Sequence, residues 1–287
     1  MRAMIAERTR EIHTNFLYEI NDECLCDLKN IRYDQPCGPD YSQNKVQQLY
    51  LLRYFPAYLC EYKHLYQKII QTYTIDNFNI LSIGCGCCVD YYAAYLALGR
   101  SITNLQYCGI DPIDWLYKDS LYNDRFCFVQ GNIASITFPE DFYYNIIFFP
   151  KSLSEIPQSE FDTFLSNLNQ LTFRSDKIFL ISSIMDKGFI HDTTRYDTIS
   201  DLLRSKGFHC EDFQGAKEIT NKRGLNQLDS GFDYPNDVKS FLMTLNEKCL
   251  HYQQYGSNCE NACKDQLNKW PILTAKYISF QFNLFER

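Results

Sequence analysis

The sequence predicts an α/β fold in which a mostly parallel sheet is covered by helices on both faces. Three observations predict it. From Asn79 onward, short apolar runs alternate with helical patterns, as parallel strands joined by crossover helices require. Several of these runs end in glycine, Asp or Asn, where a strand passes into a loop. The chain of 287 residues is 45% apolar and 16% aromatic, enough to bury such a sheet on both sides.

Taken in order, residues 1–76 read as a helical extension. Ile5, Ile12, Phe16, Leu17 and Ile20 follow roughly helical spacing. Asp34–Ser42 reads as a loop, because two prolines and a glycine punctuate it. A long helical pattern follows to Tyr73, and Pro56 is expected to kink or restart it near Phe55. Residues 77–287 form the main domain. Its strands are predicted at Asn79–Ile83, Leu105–Asp111, Arg125–Ile133, Tyr144–Pro150, Asp176–Ile184 and Phe208–Gly215. Helices fall at Val89–Leu98, Glu160–Leu171 and Thr193–Phe208, the last closing at Gly207. Residues 215–271 read as an insertion: a loop, a helix over Asn236–Tyr252, then a polar, cysteine-bearing stretch. Leu273–Phe285 alternates in the manner of a long terminal strand.

The net charge of -7 argues against a uniformly basic nucleic-acid surface, so DNA is not an expected partner. No run of about 18 apolar residues is present, and the charged N-terminus lacks an apolar signal core. The expectation is a cytoplasmic protein without a membrane span, its 13 cysteines largely reduced and buried.

The segment with the most chemistry is Asn79–Asp90, where an apolar strand runs into Gly84-Cys85-Gly86 and then a helix. The first glycine permits a tight turn and the second lets a ligand approach the backbone. The next strand ends at Asp111, whose carboxylate can accept hydrogen bonds from both hydroxyls of a ribose. The third ends at Asn132 and Ile133, suited to the amino group and face of an adenine. The fourth, Asn145–Pro150, points into the same crevice.

This succession resembles the class I S-adenosylmethionine (SAM)-dependent methyltransferases, over about Asn79 to Phe213 with the tail as last strand. The resemblance implies a Rossmann-like, seven-stranded, mostly parallel sheet of order 3-2-1-4-5-7-6 with the seventh strand antiparallel. It implies that Gly84, Cys85 and Gly86 surround the methionine part of SAM, that Asp111 and Pro112 meet the ribose, and that Asn132, Ile133 and Phe149 lie along the adenosine. Helices before the first strand act in many such enzymes as a lid, from which Arg53 would pair with the SAM carboxylate or an acidic substrate.

The loop after the fourth strand offers Lys151, Ser152 and Glu155 as catalytic candidates, with a helix cap and a solvated carboxylate as the plainer reading. It reads Phe149-Pro150-Lys151-Ser152, without the acid-Pro-Pro-aromatic motif of exocyclic-amine methylation or the cysteine of cytosine C5 methylation. The implied reaction is O- or N-methylation of an acceptor that is a small molecule, a protein or RNA. Ser82, Cys88 and Asn132 stand where the family usually has an acid, a glycine and Asp. They motivate the alternative of a non-catalytic SAM-fold subunit. A nicotinamide enzyme would need a third glycine and a second mononucleotide half, and neither is present.

Cys249, His251, Cys259 and Cys263 form C-x-H-x7-C-x3-C, a set from which a structural zinc could draw ligands. Cys24, Cys26 and Cys37 are further thiols that could join it, and ordinary free cysteines are the alternative.

Overall fold

A computed structural model describes residues 2–29, 39–73, 75–99, 104–118, 125–138, 141–184, 189–210, 234–256, 267–272 and 279–287. Helices are α1 (Arg2–Glu19), α2 (Cys26–Lys29), α3 (Asn44–Thr72), α4 (Val89–Leu98), α5 (Gln158–Gln170), α6 (Phe189–Ser205), α7 (Asn236–Met243) and α8 (Leu250–Tyr255). Strands are β1 (Phe78–Ile83), β2 (Leu105–Asp111), β3 (Phe126–Gln130), β4 (Asp141–Phe142), β5 (Ile146–Pro150), β6 (Thr172–Phe173), β7 (Lys177–Ile184), β8 (His209–Cys210) and β9 (Ser279–Glu286). The chain divides into two compact units, residues 1–60 with 228–275 and residues 61–227 with 276–287.

The second unit holds the sheet, in the order β3-β2-β1-β5-β7-β9-β8. Leaving aside the two-residue pair β4–β6, this is the expected order 3-2-1-4-5-7-6. The strands from β3 to β7 are parallel, and β9 runs antiparallel to both β7 and β8. Alternation along β5 serves both faces. Ile147 and Phe149 join a core with Phe164 of α5 and Tyr196 of α6. Phe148 points the other way, against Tyr62 and Tyr66 in the last turns of α3. The polar residues of the tail face protein: Gln281 is buried, and the Tyr196 hydroxyl sits 2.8 Å from Asn283 Oδ1 and 2.9 Å from the Leu180 carbonyl. An alternating pattern that would suit a half-solvated strand is here sandwiched.

The first unit joins the N-terminal helices to most of the segment read as an insertion. The Leu250 amide donates to the Glu23 carbonyl (2.9 Å), the Leu25 amide to Cys249 Sγ (3.3 Å), and Phe241 packs edge-on against His13 and Phe16. The predicted helix over Asn236–Tyr252 is broken into α7, a short 3-10 turn at Leu245–Lys248 and α8. The Asn246 amide is drawn off to Asn268 Oδ1 (2.9 Å), while the two side-chain amides pair with each other. Such side-chain partners compete with helical hydrogen bonds.

The expected interruption at Pro56 does not occur: α3 runs through it as one helix. Proline lacks the amide that would bond the carbonyl four residues earlier. That carbonyl, Leu52, instead accepts the buried Tyr234 hydroxyl at 2.7 Å, and the neighbouring Arg53 carbonyl takes the Ile272 amide at 2.9 Å. The insertion thus supplies the donor that the proline removes. Tyr234→Phe is expected to destabilise the first unit by about 1–2 kcal/mol. In a Pro56→Ala background, where the helix satisfies Leu52 itself, the same change should cost less. Chemical denaturation of the four proteins measures the coupling.

Candidate functional site

The glycine loop turns at the C-terminal edge of the sheet, between β1 and α4. Its amides point back into the protein. Gly84 and Cys85 both donate to the Ile110 carbonyl (2.8 and 3.2 Å), Gly86 donates to Asp111 Oδ2 (2.8 Å), and Cys88 donates to the Cys85 carbonyl (2.9 Å). Gly84 and Gly86 have φ of 69° and 56°, a region that favours glycine. At Gly84 a second reason applies: a Cβ there would overlap the side chain of Ser152. Cys88 takes the same left-handed conformation with a side chain and begins α4.

Asp111, 7% exposed, accepts three N–H groups. Besides Gly86 on Oδ2, Oδ1 takes the Ile113 amide and the Trp115 indole, each at 2.9 Å. Burial nonetheless holds its pKa above the usual carboxylate range. Pro112 beside it is exposed. Asn132 differs from expectation in which end of its amide is used. Its Oδ1 caps the short turn at Ile133–Ser135 through the Ser135 amide (2.9 Å), so the oxygen expected to accept from an adenine amino group is engaged within the protein. Ile133 is buried, and Phe149 is fully enclosed in the core beside Phe164.

Behind the loop lies a second carboxylate, Asp90, in the first turn of α4 and fully buried. It accepts the Tyr107 hydroxyl at 2.9 Å. Burial pushes its pKa up to about 7 against the opposing effect of Ser82, Tyr107 and the first amides of α4. The helix N-terminus, a natural place for an anion, is therefore already served by a side-chain carboxylate.

The loop after β5 carries the three catalytic candidates, in three different environments. The Ser152 hydroxyl is buried and donates to the Ile83 carbonyl, which ties this loop to the end of β1. Lys151, with φ of 59°, places its ammonium 2.9 Å from Glu61 and 3.3 Å from the Ile184 carbonyl. The same Glu61 oxygen accepts the Ser183 hydroxyl, so the pair joins the ends of β5 and β7 to α3. Glu155 alone is exposed. Desolvation by the surrounding protein, then the charges of Asp111 and Asp192, push its pKa up to about 7, and solvent contact screens part of that effect.

Arg53 belongs to the first unit, where it is buried and donates to the Leu267 carbonyl at 3.0 Å. The zinc expectation finds no support. Among the described residues no group of three or more His, Cys, Asp or Glu is set to hold a metal ion. Cys249 is buried under Leu25, whereas His251 is exposed and lies against Tyr255. Cys259, Cys263 and Cys37 lie outside the described residues. Nor is any described helix long and apolar enough to cross a membrane.

Two features were missed in the sequence. Gly109 inside β2 faces the glycine loop, where a Cβ would stand 2.7 Å from Cys85 Sγ. An isolated glycine in a strand is a legible sign of such an approach. Trp115, bonded to Asp111, has no comparable signal.

Neither a family model nor a curated protein matches the chain. Solved structures do. The plantazolicin methyltransferase BpumL in complex with S-adenosylhomocysteine (SAH) aligns over 99% of this chain and 99% of its own, at 14% identity and a TM-score of 0.43. Magnesium protoporphyrin IX methyltransferase ChlM from Synechocystis PCC 6803, with bound SAH, aligns over 54% of this chain and 75% of its own, at 14% identity and a TM-score of 0.36. The methyltransferase domain of bacterial Hen1 aligns over 79% and 98%, at 10% identity and a TM-score of 0.39.

The elevated pKa of Asp90 has a measurable consequence for stability. The folded state holds its proton more tightly than the unfolded chain. The resulting stabilisation is complete below about pH 4 and is lost as pH rises through about 7. Asp90→Asn should flatten stability between pH 4 and 7, removing at most on the order of 4 kcal/mol of slope. Urea unfolding of both proteins across that range tests it, and an unchanged slope would contradict the assignment.

Proposed function

We propose that this chain is a SAM-dependent methyltransferase that binds SAM along Gly84–Gly86, Asp111, Pro112, Asn132 and Ile133 and methylates an O or N atom of an acceptor. The observation that carries the reading is the direction of the loop amides. Those of Gly84, Cys85, Gly86 and Cys88 are all spent within the protein, and Asp90 occupies the helix N-terminus. A dinucleotide loop needs those donors for its pyrophosphate. This loop offers instead half-buried glycines beside a carboxylate, which suits a nucleoside carrying no phosphate.

Bound there, SAM would supply an electrophilic methyl group on a sulfonium. The chain's part is to bind, orient and move a proton. Asp111 Oδ2 takes one protein donor and keeps a lone pair for a ribose hydroxyl. The Asn132 amino group donates to the purine ring. Glu155, the one catalytic candidate left at the surface, accepts the proton that an O–H or N–H acceptor gives up. A carboxylate with a pKa near working pH is suited to that task.

Calorimetry with SAH and NAD tests the binding half. SAH is expected to bind, and Asp111→Ala to weaken it by roughly 1.5–3 kcal/mol, the loss of a hydrogen bond to a charged group. Binding of NAD without SAH would refute the reading. Transfer of labelled methyl groups into protein, RNA and metabolite fractions tests turnover. Glu155→Gln should slow it by about a hundredfold and abolish the rise in rate as pH passes the Glu155 pKa.

One observation favours a second reading, a SAM-binding subunit without turnover. Ser152 and Lys151, both on the loop expected to face an acceptor, are engaged in holding the strand ends together. SAH binding without methyl transfer into any fraction would select it.

A further inference from the structure

Residues 112–118, which follow β2, are braced at their far end. Lys118 pairs with Asp114 and lies 4.7 Å above the Phe128 ring, and the Tyr92 hydroxyl reaches the Tyr117 carbonyl at 3.4 Å. Within this frame Trp115 is 7% exposed and directs its indole N–H to Asp111 Oδ1 at 2.9 Å. Its six-membered ring lies over Gly86, 3.8 Å from where a Cβ would stand, so a larger residue at 86 and the indole would be in contact. The carboxylate is thereby loaded unevenly. Oδ1 accepts both Ile113 and Trp115, whereas Oδ2 accepts Gly86 alone. A carboxylate oxygen has two lone-pair sites, so the open one is on Oδ2.

Resting on the SAM reading above, we infer that Trp115 is the positioning residue for the ribose-binding carboxylate: it saturates Oδ1, fixes the rotamer of Asp111 and presents Oδ2 to a ribose hydroxyl. The indole N–H also favours the ionised form that accepts such a bond, together with the amides of Ile113 and Gly86. Two other titratable groups face Asp111 electrostatically, Glu155 from the loop after β5 and the Cys85 thiol from the glycine loop. Burial holds that thiol's pKa well above its ordinary value, so it stays neutral across the range of interest. Glu155 titrates within it.

The test is SAH calorimetry from acid to neutral pH on the full chain and on Trp115→Phe, each also in a Glu155→Gln, Asp90→Asn background, so that neither carboxylate with a pKa near 7 obscures the acid limb set by Asp111. Trp115→Phe keeps an aromatic side chain but removes the N–H and the outer ring over Gly86, so the pH limb, and not affinity alone, reports the lost donor. It should bind SAH about tenfold more weakly at neutral pH, as loss of about 1.4 kcal/mol implies, and its acid limb should move to higher pH. A purely structural role would leave that limb in place. Equal affinity with an unmoved limb overturns the inference while leaving the SAM reading intact. Failure of the wild-type chain to bind SAH overturns both. Should Trp115→Phe not fold, Trp270→Phe leaves Trp115 as the single tryptophan of the two in the chain. Saturating SAH should then change its emission, and constant emission would reject the assignment.

Discussion

The hydrogen bond from the Gly86 amide to the Asp111 carboxylate joins the ends of β1 and β2 where a ligand would lie against the sheet. It is one of a set. The Ile110 carbonyl takes the amides of Gly84 and Cys85, and Ser152 closes on Gly84 from the other side with its hydroxyl on the Ile83 carbonyl. Three strand ends are thereby held within a few ångströms through backbone contacts that only glycine permits at 84. The amides of Gly84, Cys85, Gly86 and Cys88 are thereby committed inside the protein and are not offered to an anion.

Carboxylates at this edge have been sorted by environment. Asp111 is buried, which raises its pKa, and three N–H donors oppose that rise. Asp90 is sealed behind the loop with a tyrosine hydroxyl and the start of α4, where desolvation outweighs its partners. Glu61 is answered by an ammonium and a hydroxyl and serves to hold strand ends. Glu155 combines solvent access with a raised pKa. The same functional group thus meets four different environments, and its proton affinity and partners follow from what surrounds it.

The first unit shows a different economy of bonds. Pro56 leaves a carbonyl without its helical donor, and a residue 178 positions later, Tyr234, supplies one. That interaction helps explain why the segment before the last strand belongs with the N-terminal helices and not with the sheet whose sequence it interrupts. A helix can carry a proline when tertiary structure satisfies what the ring removes.

Much was legible in the sequence, for a physical reason. Strand and helix periods follow from the backbone's own geometry, and with the family resemblance they led to the sheet order through to the antiparallel last strand. Glycine-Cys-glycine after β1 and Asp at the end of β2 were legible because a tight turn and a strand terminus leave local marks. What only the tertiary structure decided is which partner each polar group meets. Asn132 turned its carbonyl end inward, Ser152 and Lys151 became struts, Cys249 was buried while His251 stayed exposed, and Trp115 arrived on Asp111 from a loop with no signature of its own. Which partner a polar side chain meets leaves no period to read, whether that partner is three residues away, as for Asn132, or 69, as for Ser152, so it becomes visible only once the chain has folded.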